Sequence, residues 1–391
     1  MQPRGQQFGN DCQKMNDALG QPLFICANIY RGSSYGPMHP LRIPRASTVM
    51  DLCRALDWLP AHQFVTSPRA KPAALAVYHT PDYIAAVQRA EETQSVSPED
   101  RAKYHIGTPS NPVFPEMFRR PATSAGGALL AGELLRGGGV VFSPAGGTHH
   151  AFADRAGGFC YFNDPVLAIL SLRRNGARRV AYVDIDAHHP DGVEAAFARD
   201  PDVLMISTHE AGRWPRTGAL TDCGVGQVYN LPVPRELNDD EMALIRDEVI
   251  LPIVQSFAPD AIVLQCGSDA LTEDPQSRLC LSNNAHVEVV RGLMPLAPRY
   301  LVLGGGGYNP WSVGRCWTRV WATLNGFPEP QTLPEPARNV LRALRWEGQR
   351  RVKTPPSDWV DTLVDAPRGG AIRDDIRTMI RALQARARTW V

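Results

Sequence analysis

The stretch VAYVDIDAHHPDG, residues 180–192, decides how the fold is interpreted, because a buried strand and a polar cluster meet in it. Its first residues are apolar and β-branched, which favours a strand inside a sheet. Alternate residues of a strand share a face, so Asp184, Asp186 and His188 point the same way as the strand runs into its loop. Two carboxylates and an imidazole crowded together are unfavourable unless a cation lies among them. The stretch therefore predicts a metal site at the end of a strand.

Similar apolar runs recur along the chain and alternate with helix-compatible stretches. Strands are predicted at residues 140–142, 180–185, 203–207, 228–233, 261–265 and 300–303, and helices at 122–136, 164–174 and 239–257. This alternation indicates an α/β fold with a parallel β-sheet flanked by helices on both faces. Sites in such sheets form outside the carboxyl ends of the strands, where we expect the active site.

A third metal ligand is needed beside Asp186 and His188, because catalytic zinc typically takes three protein ligands and leaves one position open. The predicted strand 261–265 is followed by Cys266, Gly267, Ser268 and then Asp269, a lone carboxylate past another strand end. Taken singly, an Asp or His at a strand end is usually a helix cap or an ordinary loop residue. The clustering makes Asp269 the candidate third ligand.

A second histidine pair, His149 and His150, follows the predicted strand 140–142 within SPAGGTHHA, residues 143–151. The small residues before it let a ligand approach the backbone closely. An imidazole facing an attacking water could act as general base and then as general acid toward a departing amine. A carboxylate behind it would fix its tautomer, and Asp184 and Asp191 are both available.

The segment Gly304 to Tyr308, GGGGY, follows the predicted strand 300–303. Four glycines in a row do not form a dinucleotide-binding fingerprint, since neither a helix start nor a ribose-binding acid follows at the expected place. A flexible turn that delivers the Tyr308 hydroxyl to a developing oxyanion fits better. The plain alternative is a glycine turn with an exposed tyrosine.

With these motifs assembled, the chain resembles the histone-deacetylase superfamily, and within it the bacterial acetoin-utilisation deacetylases. The resemblance runs from about Tyr30 to about Trp321, and it implies a single arginase/deacetylase-like domain with the active site at the carboxyl ends of the strands. The motifs that carry it, in chain order, are HPLRIPR (39–45), NPVF (111–114), GTHHA (147–151), GFCYFND (158–164), DIDAHHPDG (184–192), DAL (269–271) with Asp274-Pro275, and GGGGY (304–308).

The resemblance implies roles for the catalytic residues. Asp186, His188 and Asp269 would bind one zinc ion, and His150 would be the main general base and acid. His149 would pair with Asp184 and His150 with Asp191. Tyr308 would donate to the substrate carbonyl and help zinc to stabilise the oxyanion.

The resemblance also implies a substrate tunnel and a second cation. Phe159 and Trp214, with Gly158, resemble the walls of a narrow tunnel that grips an extended alkyl chain, and Arg45 matches an arginine in an internal cavity below the zinc. A potassium ion is expected near the zinc, held partly through backbone carbonyls of Asp184, Asp186, Ser207 and Thr208.

Two residues depart from the family pattern. Pro190 stands where glycine is common, and proline removes an N–H, fixes φ and restricts His189 before it. This puts the orientation of Asp191 in doubt. Ser110 stands where many relatives carry an aspartate that grips the substrate backbone, so another residue clamps the substrate or an extended peptide is not needed.

The function that follows is a zinc-dependent hydrolase that removes an acetyl or short acyl group from an amine, foremost N-acetyl-lysine of a protein. An acetylpolyamine or other small-molecule amidohydrolase and a catalytically weak acyl-lysine binding module are the alternatives. Arginase-type ureohydrolases share the fold, but their second metal would lack ligands here, because Asp191 lies one residue too far from His188 and Asp269 is followed by Ala270 and Leu271.

The remaining expectations come from composition. With 41 basic and 40 acidic residues, the chain has no overall field that would attract nucleic acid. The eight scattered cysteines indicate free thiols. No apolar leader or spanning segment is evident, so we expect a cytoplasmic location without membrane association; an oligomer is compatible with the sequence. We expect a catalytic domain at 1–326 and a helical extension at 327–391 that packs on it.

Overall fold

Eight parallel strands form a single sheet in this computed structural model, which describes residues 20–346 and 354–387. The strands are β1 (Leu23–Cys26), β2 (Phe64–Thr66), β3 (Gly139–Ser143), β4 (Val180–Asp184), β5 (Val203–Glu210), β6 (Val228–Val233), β7 (Ala261–Gln265) and β8 (Arg299–Leu303). Their order across the sheet is β2-β1-β3-β8-β7-β4-β5-β6.

Helices connect the strands. The α-helices are α1 (Ile29–Gly32), α2 (Ala46–Ala55), α3 (Pro72–Leu75), α4 (Pro81–Thr93), α5 (Pro98–Tyr104), α6 (Arg119–Leu134), α7 (Asp164–Arg174), α8 (Asp191–Phe197), α9 (Asp239–Ile245), α10 (Leu251–Phe257), α11 (Asn283–Leu293), α12 (Pro310–Asn325), α13 (Glu335–Ala343), α14 (Asp358–Asp361) and α15 (Asp374–Ala387). A π-helical turn, Arg246–Ile250, joins α9 to α10.

The sheet is covered on both faces because its strands bury side chains on both sides. Tyr182 of β4 packs toward α6, α7 and α8, whereas its neighbour Val183 packs toward α2, α11 and α12. All the residues of β3, β4, β5 and β7 are buried. Strands of this kind read as continuous apolar runs, which is why they could be predicted.

The strand order explains where polar loops meet. Strands β3 and β4 follow each other along the chain, but β8 and β7 lie between them in the sheet. The chain thus changes its winding direction here, and the loops after β3, β8, β7 and β4 emerge side by side. These four loops carry the histidine pair 149–150, the segments with Asp186 and Asp269, and the glycine segment 304–308.

The predicted α/β class and parallel sheet are confirmed, with corrections to the element bounds. All six predicted strands are present, but β5 continues to Glu210 and so includes Thr208 within the sheet. Strand β1 and the edge strand β2 were not predicted, because runs of four and three residues carry little periodic signal. The predicted helix 239–257 contains the π-helical turn.

The described part of the C-terminal segment packs on the same core as the sheet. Ile376, Met379 and Leu383 of α15 are buried in the main hydrophobic cluster. Arg315 of α12 forms a buried ion pair with Asp365 at 2.7 Å. The division of the chain between residues 326 and 327 stays a prediction. Residues 1–19 of the predicted catalytic domain, and residues 347–353 and 388–391 of the predicted extension, lie outside the described residues.

Two simpler expectations concern cysteines and membranes. The seven cysteines within residues 20–346 and 354–387 carry free thiols, while Cys12 lies outside these ranges. None of the helices that the structure describes is long and apolar enough to cross a bilayer.

Candidate active site

Three predicted ligands come together at the carboxyl ends of β4 and β7. Asp186 and His188 lie in the loop after β4, and Asp269 lies in a short 3-10 turn after β7. The Nδ1 atom of His188 lies 2.9 Å from Oδ2 of Asp269 and 3.1 Å from Oδ1 of Asp186. One ligand atom from each residue falls within 4.8 Å of the other two. A single cation can therefore contact all three side chains.

The glycine segment after β8 closes this cluster from the side, and it does so with backbone. The Gly306 N–H donates to Asp186 Oδ2 at 2.6 Å. A Cβ atom on Gly306 would lie 2.1 Å from an oxygen of Asp269, and one on Gly267 would lie 2.0 Å from an oxygen of Asp186. Any side chain at either position would displace a carboxylate. The glycines are thus required by close approach rather than by flexibility alone.

The charges of this cluster favour a bound cation. Asp186 and Asp269 are essentially fully buried, and Ala187 N–H donates to Asp269 at 3.0 Å. Burial and the neighbouring Asp186 charge raise the pKa of Asp269. Although burial disfavours a charged imidazole, the two carboxylates raise the pKa of His188 to about 10. Two carboxylate oxygens and one imidazole nitrogen form a donor set that fits zinc.

Next to this cluster, His149 is held by a chain of buried hydrogen bonds. Its Nδ1 lies 2.8 Å from Oδ2 of Asp184, which also accepts from the Tyr182 hydroxyl at 2.5 Å. That hydroxyl also lies 3.1 Å from Oε1 of Gln265. Burial opposes a charge on His149, but Asp184 and Asp186 outweigh it and raise the pKa of His149 to about 9. The two carboxylates therefore favour the protonated form of His149.

His150 has the opposite character. Its Nδ1 lies 2.7 Å from Oδ1 of Asp191, and its Nε2 lies 2.9 Å from Nε2 of His149. Burial and the positive charge of His149 lower the pKa of His150 to about 3. His150 is therefore neutral, with Nδ1–H directed to Asp191 and a lone pair on Nε2.

Pro190 does not disturb the contact between Asp191 and His150. It occupies the N-cap position of α8 with φ −79° and ψ 62°, and Asp191 is the first helical residue. The Asp191 N–H donates to the His189 carbonyl at 2.9 Å, which fixes the turn. The fixed φ of proline is compatible with a residue that precedes a helix.

Tyr308 is buried at the edge of the same site. Its backbone N–H donates to Oδ2 of Asp274 at 2.6 Å, and its ring lies 5.7 Å from that of Phe159. Burial, with the charges of Asp269 and Asp186, raises the pKa of Tyr308 well above its usual value. The phenol stays protonated and can donate a hydrogen bond.

A cavity of about 370 Å³ connects these groups to solvent. His150, His188 and Tyr308 line its inner end, with Phe159 and Trp214 along its walls. The Trp214 ring lies 4.6 Å from that of His150 at 73° and is 48% exposed. A Cβ on Gly158 would clash at 2.5 Å with both rings, so glycine lets the wall approach His150.

The remaining predicted residues lie close by. Arg45 donates to the Gly305 carbonyl at 2.6 Å and lines a separate inner cavity of about 40 Å³. Thr208 donates to the Asp184 carbonyl at 3.4 Å, and Ser207 is paired with Asp184 across β5 and β4. Ser110 is exposed at the cavity mouth.

The sequence analysis missed several residues that orient the site. Tyr182 and Gln265 were counted as strand residues, although a polar side chain at a wholly buried strand position signals a partner inside the protein. Asp164 was quoted only as part of a motif, yet it accepts from the backbone N–H groups of Gly147 and Thr148 at 2.8 and 2.9 Å. It thereby fixes the loop that carries His149.

The chain was compared with known families and proteins. The family described as "Histone deacetylase domain" matches residues 39–324. Acetoin utilization protein AcuC of Bacillus subtilis (strain 168) is 32% identical over 380 residues, which cover 93% of this chain and 97% of that protein. Histone deacetylase 9 of Arabidopsis thaliana is 36% identical over 314 residues, which cover 78% of this chain and 73% of the relative.

The chain is also similar to solved structures of HDAC homologs. The crystal structure of an HDAC homolog from Aquifex aeolicus superposes on this chain with a TM-score of 0.88 and 35% sequence identity. The aligned region covers 93% of this chain and 100% of the homolog's chain. The crystal structure of an HDAC homolog complexed with SAHA gives the same values.

Proposed function

Because the chain belongs to the histone deacetylase family and is a hydrolase that acts on amides, we propose that it uses zinc to remove an acetyl or short acyl group from N-acetyl-lysine of a protein. Family membership confirms the resemblance and the single arginase/deacetylase-like domain. The zinc ligands, the catalytic roles and the substrate belong to the proposal.

One observation carries the proposal. Three ligand atoms that fit zinc lie together, and one of the three residues, His188, lines the same cavity as His150 and Tyr308. A metal ligand set, a neutral base and a protonated donor are the parts that amide hydrolysis requires. A catalytically weak binding module would not need all three.

Zinc held by Asp186, His188 and Asp269 would supply a Lewis acid for the acyl carbonyl and would make an attacking water more acidic. His150 accepts the water proton on Nε2 as the water oxygen bonds to the carbonyl carbon. Asp191 stabilises the resulting imidazolium through Nδ1. When the C–N bond breaks, His150 returns the proton to the amine, leaving a carboxylic acid and a free amine.

Tyr308 and His149 stabilise or orient the reacting groups without taking part in bond making or breaking. The Tyr308 hydroxyl donates to the carbonyl oxygen, whose negative charge grows as water adds. His149, which is bound to Asp184, lies 2.9 Å from Nε2 of His150 and orients that ring. Phe159 and Trp214, with Gly158, would enclose the alkyl chain, and Arg45 would line the inner cavity.

The proposal also includes a potassium ion at Asp184, Ser207 and Thr208. It includes a cytoplasmic location as well.

The test combines metal content with activity. We expect about one zinc per purified chain by elemental analysis and cleavage of a fluorogenic acetyl-lysine substrate that hydroxamates inhibit. Tyr308→Phe should lower kcat by roughly 10²–10³-fold and His150→Ala by roughly 10²–10⁴-fold. Tyr300→Phe is the matched control, because Tyr300 is a buried tyrosine that donates to Val290 outside the cavity.

Full activity of Tyr308→Phe or His150→Ala would contradict the assigned roles. Zinc-loaded protein that cleaves neither acetyl-lysine peptides nor acetylated polyamines would contradict the hydrolase proposal as a whole.

A further inference from the structure

Three arginines line the outer end of the cavity that leads to His150 and Tyr308. Arg213 and Arg216 lie in the loop after β5, and Arg235 lies just after β6. The same continuous cavity contains the catalytic cluster at its other end. A substrate that reaches the inner end must therefore pass these guanidinium groups.

The arginines are only partly neutralised. Glu210, whose side chain is 1% exposed, binds Arg213 through two hydrogen bonds of 2.5 and 2.8 Å. Arg235 lies 3.5 Å from the same carboxylate and is 75% exposed. Within the part of the chain that the structure describes, no acidic side chain forms an ion pair with Arg216. Three cations against one anion leave a net charge of about +2 at the mouth.

Arg216 is held in an unfavourable backbone conformation. Its φ is +67°, the left-handed region that favours glycine, and its N–H donates to the Arg213 carbonyl at 2.7 Å. An arginine at this φ lowers the free energy of unfolding, whereas a glycine would not. The side chain is exposed, so internal packing does not account for it. Among the described residues that line this cavity, Glu210 is the one carboxylate, and Ser110 and Gln276 present neutral side chains.

We propose that these arginines select substrates carrying a carboxylate close to the acylated amine. The inference rests on the proposed deacylase function and names its substrate class. Arginine binds carboxylates through paired, charge-assisted hydrogen bonds, and Arg216 and the exposed end of Arg235 are free to form them. The carboxylate comes from an acidic side chain next to the acetyl-lysine or from the α-carboxylate of the free amino acid. Acetylated polyamines, which are cations, are repelled by the same groups.

The experiment uses blocked peptides with a central N-acetyl-lysine flanked by Glu, Gln or Lys, together with free Nε-acetyl-lysine and N-acetylspermidine. Each exposed ion pair changes kcat/KM by up to about fivefold at low ionic strength. We therefore expect the Glu peptide to exceed the Gln peptide by about fivefold, and the Lys peptide and N-acetylspermidine to fall below both. Raising the salt concentration should compress these ratios. If free Nε-acetyl-lysine exceeds the Glu peptide, the α-carboxylate is the group recognised.

Arg216→Gly and Arg216→Glu test the assignment within one position. Arg216→Gly removes the charge and also relieves the positive φ, so its folding is not at risk, and it should reduce the Glu-to-Gln ratio toward one. Arg216→Glu should reverse the preference toward the Lys peptide. Arg174→Glu is the control, because Arg174 is an exposed arginine in the last turn of α7, which ends shortly before β4 begins and does not line this cavity. It should leave the ratio as in the unmodified protein.

The two proposals fail in different ways. Equal cleavage of all the peptides, or a Glu-to-Gln ratio that neither salt nor Arg216→Glu changes, would overturn the selection of carboxylates and leave the deacylase function standing. Absence of cleavage for every substrate by zinc-loaded protein would instead overturn the function itself.

Discussion

The inner cluster and the mouth of the cavity hold their charges in opposite ways. At the inner end, Asp186 and Asp269 are buried and receive hydrogen bonds from backbone N–H groups of Gly306 and Ala187. At the mouth, Arg216 and Arg235 point into solvent with little or no compensation. All of these residues follow strand ends, but the inner charges are held by buried hydrogen bonds, whereas Arg216 and Arg235 are exposed.

In the proposed function, this difference separates the buried groups, which would carry out the reaction, from the exposed groups, which would select the substrate. A buried charge interacts strongly with its neighbours because little water screens it. An exposed charge is screened, so it changes affinity modestly and in a salt-dependent way. Substitutions in the inner cluster should therefore affect catalysis by orders of magnitude, and substitutions at the mouth only by small factors.

The largest effect is expected for Asp269→Asn. Loss of this carboxylate should lower kcat/KM by about a thousandfold or more, since the metal supplies several kcal/mol of transition-state stabilisation. It should also abolish the rise in Tm that zinc gives the unmodified protein. Without zinc, the variant should be at least as stable as the unmodified protein, because Asp269 no longer opposes the buried charge of Asp186. Calorimetry with and without zinc, beside elemental analysis, measures these quantities.

Asp57→Asn is the control for that comparison, because Asp57 is exposed and its left-handed backbone, φ +57°, suits Asn as well as Asp. Its zinc content and activity should equal those of the unmodified protein. A zinc-dependent Tm in Asp269→Asn would place the metal elsewhere.

Much of this inner cluster could be predicted, because its signals are local in the sequence. Asp184 ends β4, and Asp186 and His188 follow within four residues in its loop, so their nearness in the sequence already places them at one strand end. Asp269 required one further step, namely that carboxyl ends of parallel strands share an edge. The pairing of β4 with β7 brings Asp269 to this edge, and no local pattern indicates which strands pair.

The mouth could not be predicted in the same way. Arg213, Arg216 and Arg235 come from two loops without periodic structure, and arginines are common throughout this chain. Their convergence depends on β6 lying beside β5, and the positive φ of Arg216 has no sequence signal. The glycine segment was interpreted as a flexible turn, whereas its main constraint is the approach of Gly306 to Asp269. Contacts of this kind are long-range and have no local signature.

An intermediate effect is expected at Asp191, which lies between the two regions. Asp191→Asn keeps the shape but removes the charge that, in the proposed mechanism, stabilises the imidazolium of His150, and partners of this kind are worth about 10–100-fold. The loss should appear in kcat, with KM little changed, because the interaction strengthens only as His150 takes up a proton.

Pro190→Gly is the companion variant, because it restores backbone freedom next to Asp191 without removing any contact. Activity should stay within about threefold, while the free energy of unfolding should fall by about 0.4–1 kcal/mol as the unfolded chain gains freedom. A tenfold gain in kcat would show that the proline holds Asp191 out of position.

A small effect, confined to KM, is expected for Trp214→Ala, at the mouth. The indole is 48% exposed and packs on His150 at 4.6 Å, so it covers only one side of a bound alkyl chain. Losing roughly 1 kcal/mol of apolar contact should raise KM about fivefold. The contact is made equally to substrate and transition state, so kcat should change little. Val77→Ala, a substitution of another exposed apolar residue, should leave KM unchanged. A hundredfold loss of kcat in Trp214→Ala with KM unchanged would contradict this expectation. The contact of Trp214 with His150 would then contribute to catalysis, and Trp214 would belong to the inner cluster rather than to the mouth.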